Sequence, residues 1–159
     1  QVTALSLTDP LTGLANRREM ERMLEREFAA AQRGRALAAA LFDLDDFKAY
    51  NDTHGHLAGD AALCAFGRAL QAETRAMNLA ARYGGDEFVA LLGGAGEEGV
   101  QAFIARVRIR FTASVESLGH GELTFSVGLA TYRDEMERPE AMLREADADL
   151  YRAKTRAST

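Results

Sequence analysis

The residue types that most strongly suggest chemistry occur together, where two glycines are followed by two carboxylates and an aromatic side chain. These residues are Gly84, Gly85, Asp86, Glu87 and Phe88. Apolar runs on both sides predict a β-hairpin with an acidic turn, and we expect the glycines to supply the positive φ angles of a tight turn. One interpretation is a solvated acidic turn. The other is a site for a metal ion or a reacting hydroxyl, because solubility alone requires only one acid.

A second acidic cluster follows another predicted strand. Residues 37–42 form an almost continuous apolar run, which is typical of a strand buried on both faces. The run breaks into Asp43, Asp45 and Asp46, where the strand should leave the core. Carboxylates from two strand ends placed side by side would form a site of hard oxygen ligands, which suits Mg²⁺.

Four further polar residues could bind a nucleotide. Lys48 lies on a predicted short helix, from which its ammonium could reach a phosphate. Asn51 and Asp60 pair an amide with a carboxylate, and a carboxylate can accept two hydrogen bonds from guanine. The alternative for both residues is a helix cap. Lys154, near the end of the last predicted helix, either compensates the helix dipole or holds a phosphate.

Two histidines and the single cysteine give weaker signals. His54, Gly55 and His56 predict a loop, because two histidines separated by one residue and lacking a cysteine partner are a weak metal signal. Cys64 lies in an apolar helical stretch and is interpreted as a packing residue. With one cysteine no internal disulfide can form, and a cytosolic compartment is the simplest inference.

Composition limits the classes of function that remain. The chain has 159 residues, of which 47% are hydrophobic and 27% charged. This length and composition predict one soluble globular domain. The net charge of −5 argues against broad nucleic-acid binding. No apolar run reaches membrane-spanning length, and no signal-peptide pattern opens the chain. The sequence starts at Gln1, so we expect it to be the C-terminal part of a longer protein with an upstream sensory or regulatory domain, which could include a membrane anchor.

Periodicity predicts an α+β fold with a central mixed, largely antiparallel sheet of about five strands flanked by helices. Helical spacing of apolar residues, including Met77 on the second long helix, defines the helices. The predicted helices cover residues 17–33, 47–52, 58–77 and 97–118, with a last one opened by Pro139. The predicted strands cover 36–43, the hairpin 79–92, and 123–132, and residues 93–96 form a glycine-rich link.

Taken together in chain order, these motifs make the chain resemble the GGDEF domain of diguanylate cyclases over nearly its whole length. The matching positions are residues 9–14 and 16–18, residues 42–45 with Phe47, Lys48, Asn51 and Asp52, then Gly55, His56, Gly59 and Asp60, residues 82–88, residues 126–128, and finally Ala146, Asp147, Leu150, Tyr151, Ala153 and Lys154.

The resemblance implies a fold like that of the polymerase palm and the nucleotidyl cyclase core. It also implies condensation of two GTP molecules into cyclic di-GMP with release of pyrophosphate. Each domain would hold one GTP, so that two facing copies, a homodimer, are needed for turnover. The implied cofactor is Mg²⁺, or Mn²⁺ in its place.

The resemblance further implies roles for individual residues. The metal ligands would be Asp43, the Leu44 carbonyl and Asp86, and either Asp86 or Glu87 would help to deprotonate the 3′-hydroxyl. Lys48 would take part in catalysis through the phosphates. The substrate-binding residues would be Phe47, Asn51, Asp60, Leu63, Gly84, Gly85 and Lys154.

The sequence departs from the family pattern at two places. Many relatives carry a product-binding Arg-x-x-Asp inhibitory site before the hairpin, and here Arg75 is followed by Asn78 in place of the Asp. Loss of that charge predicts weak or absent product inhibition. After Lys154, an Arg is expected where Ser158 stands, and Arg156 lies two residues earlier. This second departure leaves an alternative function open, a module that binds GTP or cyclic di-GMP as a receptor without turnover.

Overall fold

The elements of the fold follow the periodicity of the sequence. The computed structural model describes residues 6–73, 75 and 78–157. In chain order they form α1 (Arg17–Gln32), β1 (Leu37–Leu44), α2 (Phe47–His54), α3 (His56–Gln71), β2 (Leu79–Arg82), β3 (Glu87–Gly93), α4 (Glu97–Leu118), β4 (Phe125–Thr131) and α5 (Glu140–Ala157). The Asn16 side chain caps α1 by accepting a hydrogen bond from the backbone N–H of Glu19.

The sheet is antiparallel throughout its described part, in the order β2-β3-β1-β4. The apolar run of β1 therefore lies at the centre, paired with β3 on one side and β4 on the other. Asp43 at the end of β1 lies opposite Glu87 of β3 and Ser126 of β4. The sheet thus gathers the polar ends of three strands at one edge of the fold.

Helices cover both faces of the sheet, and alternate residues of each strand enter one of two cores. On the face covered by α3 and α4, Phe42 and Phe66 pack edge to face with Phe125. On the face covered by α1 and α5, Met20 and Met142 are fully buried. Burial on both faces makes β1 a rigid support for the acidic residues at its end.

The fold class was predicted correctly, but the described sheet has four strands rather than about five. Beyond β2, Ala15 adds only a single bridge to Ala81. Pro10 and the positive φ of Gly13 (76°) turn the chain in this segment, which keeps it from continuing as a strand.

Two predicted boundaries were also wrong. His54 and His56 do not form a loop, because α2 and α3 are separated only by Gly55, whose φ of 91° turns the chain within one residue. The helix predicted over residues 58–77 ends at Gln71, and the chain then directs the Glu73 carboxylate towards α4. Met77, predicted on the same helix face, lies outside the described residues.

None of the helices in the described part of the chain is both long enough and apolar enough to cross a membrane.

Candidate functional site

The two acidic strand ends predicted from the sequence meet at the end of β1. Asp43 and Glu87 are register partners, and the Leu44 N–H donates a hydrogen bond of 3.3 Å to the backbone oxygen of Asp86. The carboxyl groups of Asp43 and Asp86 lie close enough for Asp86 to raise the pKa of Asp43. Because these groups are held by paired strands, their separation is set by the sheet register and not by a mobile loop.

The hairpin turn places Glu87 against Gly84. The N–H groups of Tyr83 and Gly84 donate to the Glu87 carbonyl at 2.7 and 3.2 Å, which closes the turn. A Cβ added to Gly84 would lie 2.7 Å from Glu87 Oε1, so the glycine leaves room for the carboxylate. Neither Gly84 nor Gly85 has a positive φ, so our expectation about the turn conformation was wrong. A Cβ at Gly84 would displace the Glu87 carboxylate from its observed position, so the glycine permits a close approach of that side chain and is not explained by backbone handedness.

Repulsion among the acids indicates where a cation would be stabilised. Burial raises the pKa of Asp43 most, and the charge of Asp86 raises it further, against the opposing effect of Lys154. The pKa of Glu87 is raised by burial, then by Asp43 and Asp147. Since a nearby positive charge would favour the ionised forms of these acids, the cluster has the electrostatics of a cation site.

The donor set at the acidic cluster fits a divalent metal ion such as Mg²⁺. Asp43 Oδ1 is buried and has no hydrogen-bond partner among the described residues, so an acceptor is left for a ligand. No group of three or more His, Cys, Asp or Glu side chains in residues 6–73, 75 and 78–157 could hold a metal. A site here would rest on Asp43, Asp86 and a backbone carbonyl such as that of Leu44, with water or phosphate oxygens completing the shell, as Mg²⁺ commonly requires.

Lys154 reaches the acidic cluster from the last helix. Its Nζ lies 3.2 Å from Asp43 Oδ2 and 3.3 Å from Asp45 Oδ1. Asp45 is further held by the hydroxyls of Thr124 and Ser126, which donate at 2.8 and 2.7 Å. Burial alone would raise the pKa of Asp45, but these hydrogen bonds and Lys154 together lower it. Lys154 is therefore part of the site, in addition to any effect of its charge on the helix dipole.

The start of α2 offers backbone donors beside the cluster. Asp46 has a positive φ of 53°, an uncommon conformation for a residue other than glycine, and no described side chain caps this helix end. Uncapped N–H groups at a helix start favour an anion such as phosphate. The side chain of Lys48, in the first turn, is 93% exposed, and its Nζ lies 3.8 Å from Asp52 Oδ2. Its ammonium is therefore accessible to a ligand.

Asn51 and Asp60 lie inside helices, so the alternative that they are helix caps is wrong. Asn51 belongs to α2 and Asp60 to α3, while Gly55 is the residue between the two helices. Asn51 Oδ1 is buried without a hydrogen-bond partner among the described residues. It sits directly over Gly59, where an added Cβ would lie 1.7 Å from it. Within the described part of the chain, Asn51 Oδ1 is therefore an unpaired acceptor packed at the joint of the two helices, whereas the Asp60 side chain is exposed.

Phe47 and Leu63 offer little surface to a ligand. Phe47 is 8% exposed and Leu63 3%, and both belong to the core between the sheet and α3. Their predicted substrate contacts can involve only a small part of each side chain, and their main contribution is to packing beneath the helix joint.

The two departures from the family pattern differ in what the structure shows. Asn78 Oδ1 accepts a hydrogen bond from the Gly93 N–H, so this side chain ties the start of β2 to the end of β3. Arg75 is exposed. Arg156 lies in the last turn of α5, and Ser158 lies outside the described residues.

Sequence reasoning missed the residues that hold Asp45 and the last helix. Thr124 was assigned only to a strand and Ser126 only to that strand and to a matching motif, although their spacing of two places both hydroxyls on one face of the strand. Asp149 was not singled out, yet its Oδ2 accepts a hydrogen bond of 2.8 Å from the Leu129 N–H. No local pattern signals this contact, because it joins a helix to a strand that precedes it in the chain.

Comparison with known proteins gives the same family as the motifs. The family model described as diguanylate cyclase, GGDEF domain, matches residues 6–159. The chain is 37% identical to the response regulator PleD of Caulobacter vibrioides over 94% of its length, and 40% identical to the diguanylate cyclase DgcP of Pseudomonas aeruginosa over 94%. It spans 34% and 22% of these two relatives, respectively.

A solved structure agrees over nearly the whole domain. The GGDEF domain of DgcB from Caulobacter crescentus, in complex with cyclic di-GMP, superposes with a TM-score of 0.85 at 30% identity, covering 98% of this chain and 94% of that one. The chain belongs to the diguanylate cyclase GGDEF domain family.

Proposed function

We propose that this domain is an active diguanylate cyclase, which condenses two GTP molecules into cyclic di-GMP and releases pyrophosphate in a Mg²⁺-dependent reaction. The observation that carries the proposal is the cluster of Asp43, Asp86 and Glu87 on paired strand ends, with Lys154 in contact with it. A domain that only bound a nucleotide or a partner would leave this concentration of mutually repelling acids without a purpose.

The reaction is an attack of a ribose 3′-oxygen on an α-phosphorus. The new P–O bond forms as the bond to pyrophosphate breaks, and the hydroxyl proton must leave. Mg²⁺, held by Asp43, Asp86 and the Leu44 carbonyl, would supply the positive charge that polarises the phosphate and acidifies the hydroxyl. Glu87, whose pKa is raised by burial and by Asp43, is suited to accept the proton.

The remaining site residues position the substrate. Asn51 and Asp60 would bind the edge of guanine, because an amide and a carboxylate supply the acceptors and the donor that this base requires. Lys48 and Lys154 would bind phosphate oxygens, together with the N–H groups at the start of α2. Holding the reacting groups in this way lowers the barrier without any covalent intermediate on the protein.

A homodimer is required, since each domain holds one GTP and the attacking hydroxyl must come from the nucleotide on the opposite copy. The chain covers only 20–42% of the length of these relatives, so the remaining length of those proteins can contain regulatory segments. We propose that the input to this domain comes from such a segment. We propose that the domain acts in the cytoplasm, where its proposed substrate GTP is available.

The test is product formation from GTP and Mg²⁺ at several protein concentrations, analysed by chromatography. The native chain should yield cyclic di-GMP, with two pyrophosphates per product, and the yield should rise faster than the protein concentration. Asp86→Ala and Glu87→Ala should abolish product. Glu25→Ala, which removes an exposed acid of α1, is the matched control and should leave the rate unchanged.

The second candidate is a receptor that binds GTP or cyclic di-GMP without turnover. It is favoured by the replacement of the expected Arg after Lys154 by Ser158. Measured nucleotide binding with no product, even when the domain is fused to a dimerising segment, would establish the receptor and overturn the enzyme.

A further inference from the structure

The last helix lies unusually close to the edge of the sheet. A Cβ added to Gly128 of β4 would lie 2.0 Å from the Ala146 carbonyl oxygen and 2.3 Å from the Leu150 nitrogen. The backbone of α5 therefore rests directly on the backbone of β4. This contact brings the two backbones close together, but it contains no directional bond that would fix the position of the helix along the strand.

Asp149 supplies a directional bond at this place. The Leu129 N–H donates to Asp149 Oδ2 at 2.8 Å. Because β4 is the edge strand of the described sheet, this side-chain acceptor takes the place of a neighbouring strand. The other oxygen, Asp149 Oδ1, lies 3.3 Å from Arg152 on the same helix. Among the described residues, Asp149 therefore links α5 to the sheet only through Leu129.

The position of Lys154 depends on this link. Lys154 lies five residues beyond Asp149, about 7.5 Å further along the helix axis. A slide of α5 by one residue would move the Lys154 backbone by about 1.5 Å and rotate its side chain by about 100° if the contacts were renewed in the next register. Either change would carry Nζ away from Asp43 and Asp45, which it now meets at 3.2 and 3.3 Å.

We propose that Asp149 is a positioning residue, which fixes the register of α5 on β4 through the Leu129 N–H and thereby holds the Lys154 ammonium at the acidic cluster. Asp149 itself does not touch the reacting groups. The effect on nucleotide binding rests on the proposed function, whereas the effect on the position of Lys154 does not.

The chain offers a direct probe of that position, because Lys48 and Lys154 are its only lysines. Reductive methylation with [¹³C]formaldehyde labels both side chains and the α-amino group of the chain, and NMR then reports a separate signal for each, assigned with Lys48→Arg and Lys154→Arg. Lys48 is 93% exposed and serves as an internal reference, whereas Lys154 is 36% exposed and bonded to two carboxylates. In the native chain the two signals should differ.

Matched variants separate the bond to Leu129 from other effects. Asp149→Ala, and Asp149→Leu as a second disrupting variant of similar size, should move the Lys154 signal towards that of Lys48. Asp149→Asn keeps an acceptor for the Leu129 N–H and should retain the native signal. Arg152→Ala removes the other contact of Asp149 and should have no effect.

Nucleotide binding and turnover are then measured on the unlabelled variants. Asp149→Ala should raise the KM for GTP by at least about threefold with a smaller change in kcat, whereas Asp149→Asn should have the native KM. The double variant that combines Asp149→Ala with Lys154→Ala should have the same KM as Lys154→Ala alone. A Lys154 signal that stays native in both disrupting variants would overturn the inference. A shifted signal in a chain that neither binds nor converts GTP would support the inference and overturn the proposed function.

Discussion

Gly59→Ala is expected to disable the base-binding residues while leaving the fold intact. The added Cβ would lie 1.7 Å from Asn51 Oδ1, 2.7 Å from Cγ and 3.3 Å from Nδ2. An ordinary van der Waals contact begins at 3.4 Å, so the amide oxygen must move by about 1.7 Å, the difference between 3.4 and 1.7 Å. The atoms in the way belong to the end of a flexible side chain, so the strain is relieved by rotating Asn51 out of its place.

The expected effect on stability is small. Gly59 lies inside α3 and has no positive φ, so alanine is compatible with its backbone. Replacing glycine in a helix interior contributes about 0.5–1 kcal/mol of stability, which offsets the cost of moving Asn51. The free energy of unfolding should therefore stay within about 1 kcal/mol of the native value.

The expected effect on GTP binding is large. Displacing Asn51 removes one or two hydrogen bonds to the base and should cost about 1–3 kcal/mol, which is about 5- to 150-fold in Kd. The assay is calorimetric titration with GTP and Mg²⁺, alongside urea unfolding. Asn51→Ala should show the same loss, and the double variant no more than either single one, because both changes remove the same contact.

Gly67→Ala is the matched control, since it makes the same exchange in the same helix, where the Cβ would meet Thr12 at 3.2 Å and not the site. It should leave GTP affinity unchanged. Native GTP affinity in Gly59→Ala would refute the reasoning, because it would show that the observed position of the Asn51 amide is not needed for binding the base.

Three other substitutions test separate parts of the structure. Gly128→Ala should lower the free energy of unfolding by about 3 kcal/mol or more in urea titrations, because the 2.0 Å approach to the Ala146 oxygen involves backbone that cannot rotate away; a loss below 1 kcal/mol would contradict this. Glu73 is 7% exposed and forms hydrogen bonds to two arginines of α4. These hydrogen bonds lower the pKa of Glu73, although burial acts in the opposite direction. Glu73→Gln should therefore lower the free energy of unfolding by about 1–3 kcal/mol at neutral pH. The difference in unfolding free energy between the native chain and Glu73→Gln should shrink as the pH falls from 4.5, the ordinary pKa of glutamate, through the lower pKa of Glu73 in the folded state. A difference that does not change with pH between about 3 and 7 would exclude the ion pairs as its cause. Asn78→Asp should tighten cyclic di-GMP binding by about tenfold in calorimetry by restoring a charge three residues after Arg75, and unchanged affinity would show that the missing charge at Asn78 does not weaken product binding.

Local patterns were sufficient for most of the architecture. The helical spacing of apolar residues located α1, and α4 was predicted with the bounds that the structure has, Glu97–Leu118. The apolar run before Asp43 identified β1 as a central strand, and the glycine pair with its flanking runs identified the hairpin of β2 and β3. These features were accessible because burial imposes a short, regular period on each element.

Contacts between distant segments were not accessible in this way. Lys154 and Asp45 are 109 residues apart, and their pairing depends on the place where α5 rests on β4. The Asn51 amide occupies the space that a side chain at Gly59 would fill. Gly84 leaves space for the Glu87 carboxylate and does not have a positive φ. The sequence by itself determined which side chains are candidates for holding a metal and a nucleotide, and which helices and strands carry them. Only the tertiary structure decided which of them meet, because register and helix placement arise from close packing between segments that carry no mark of each other in their local pattern.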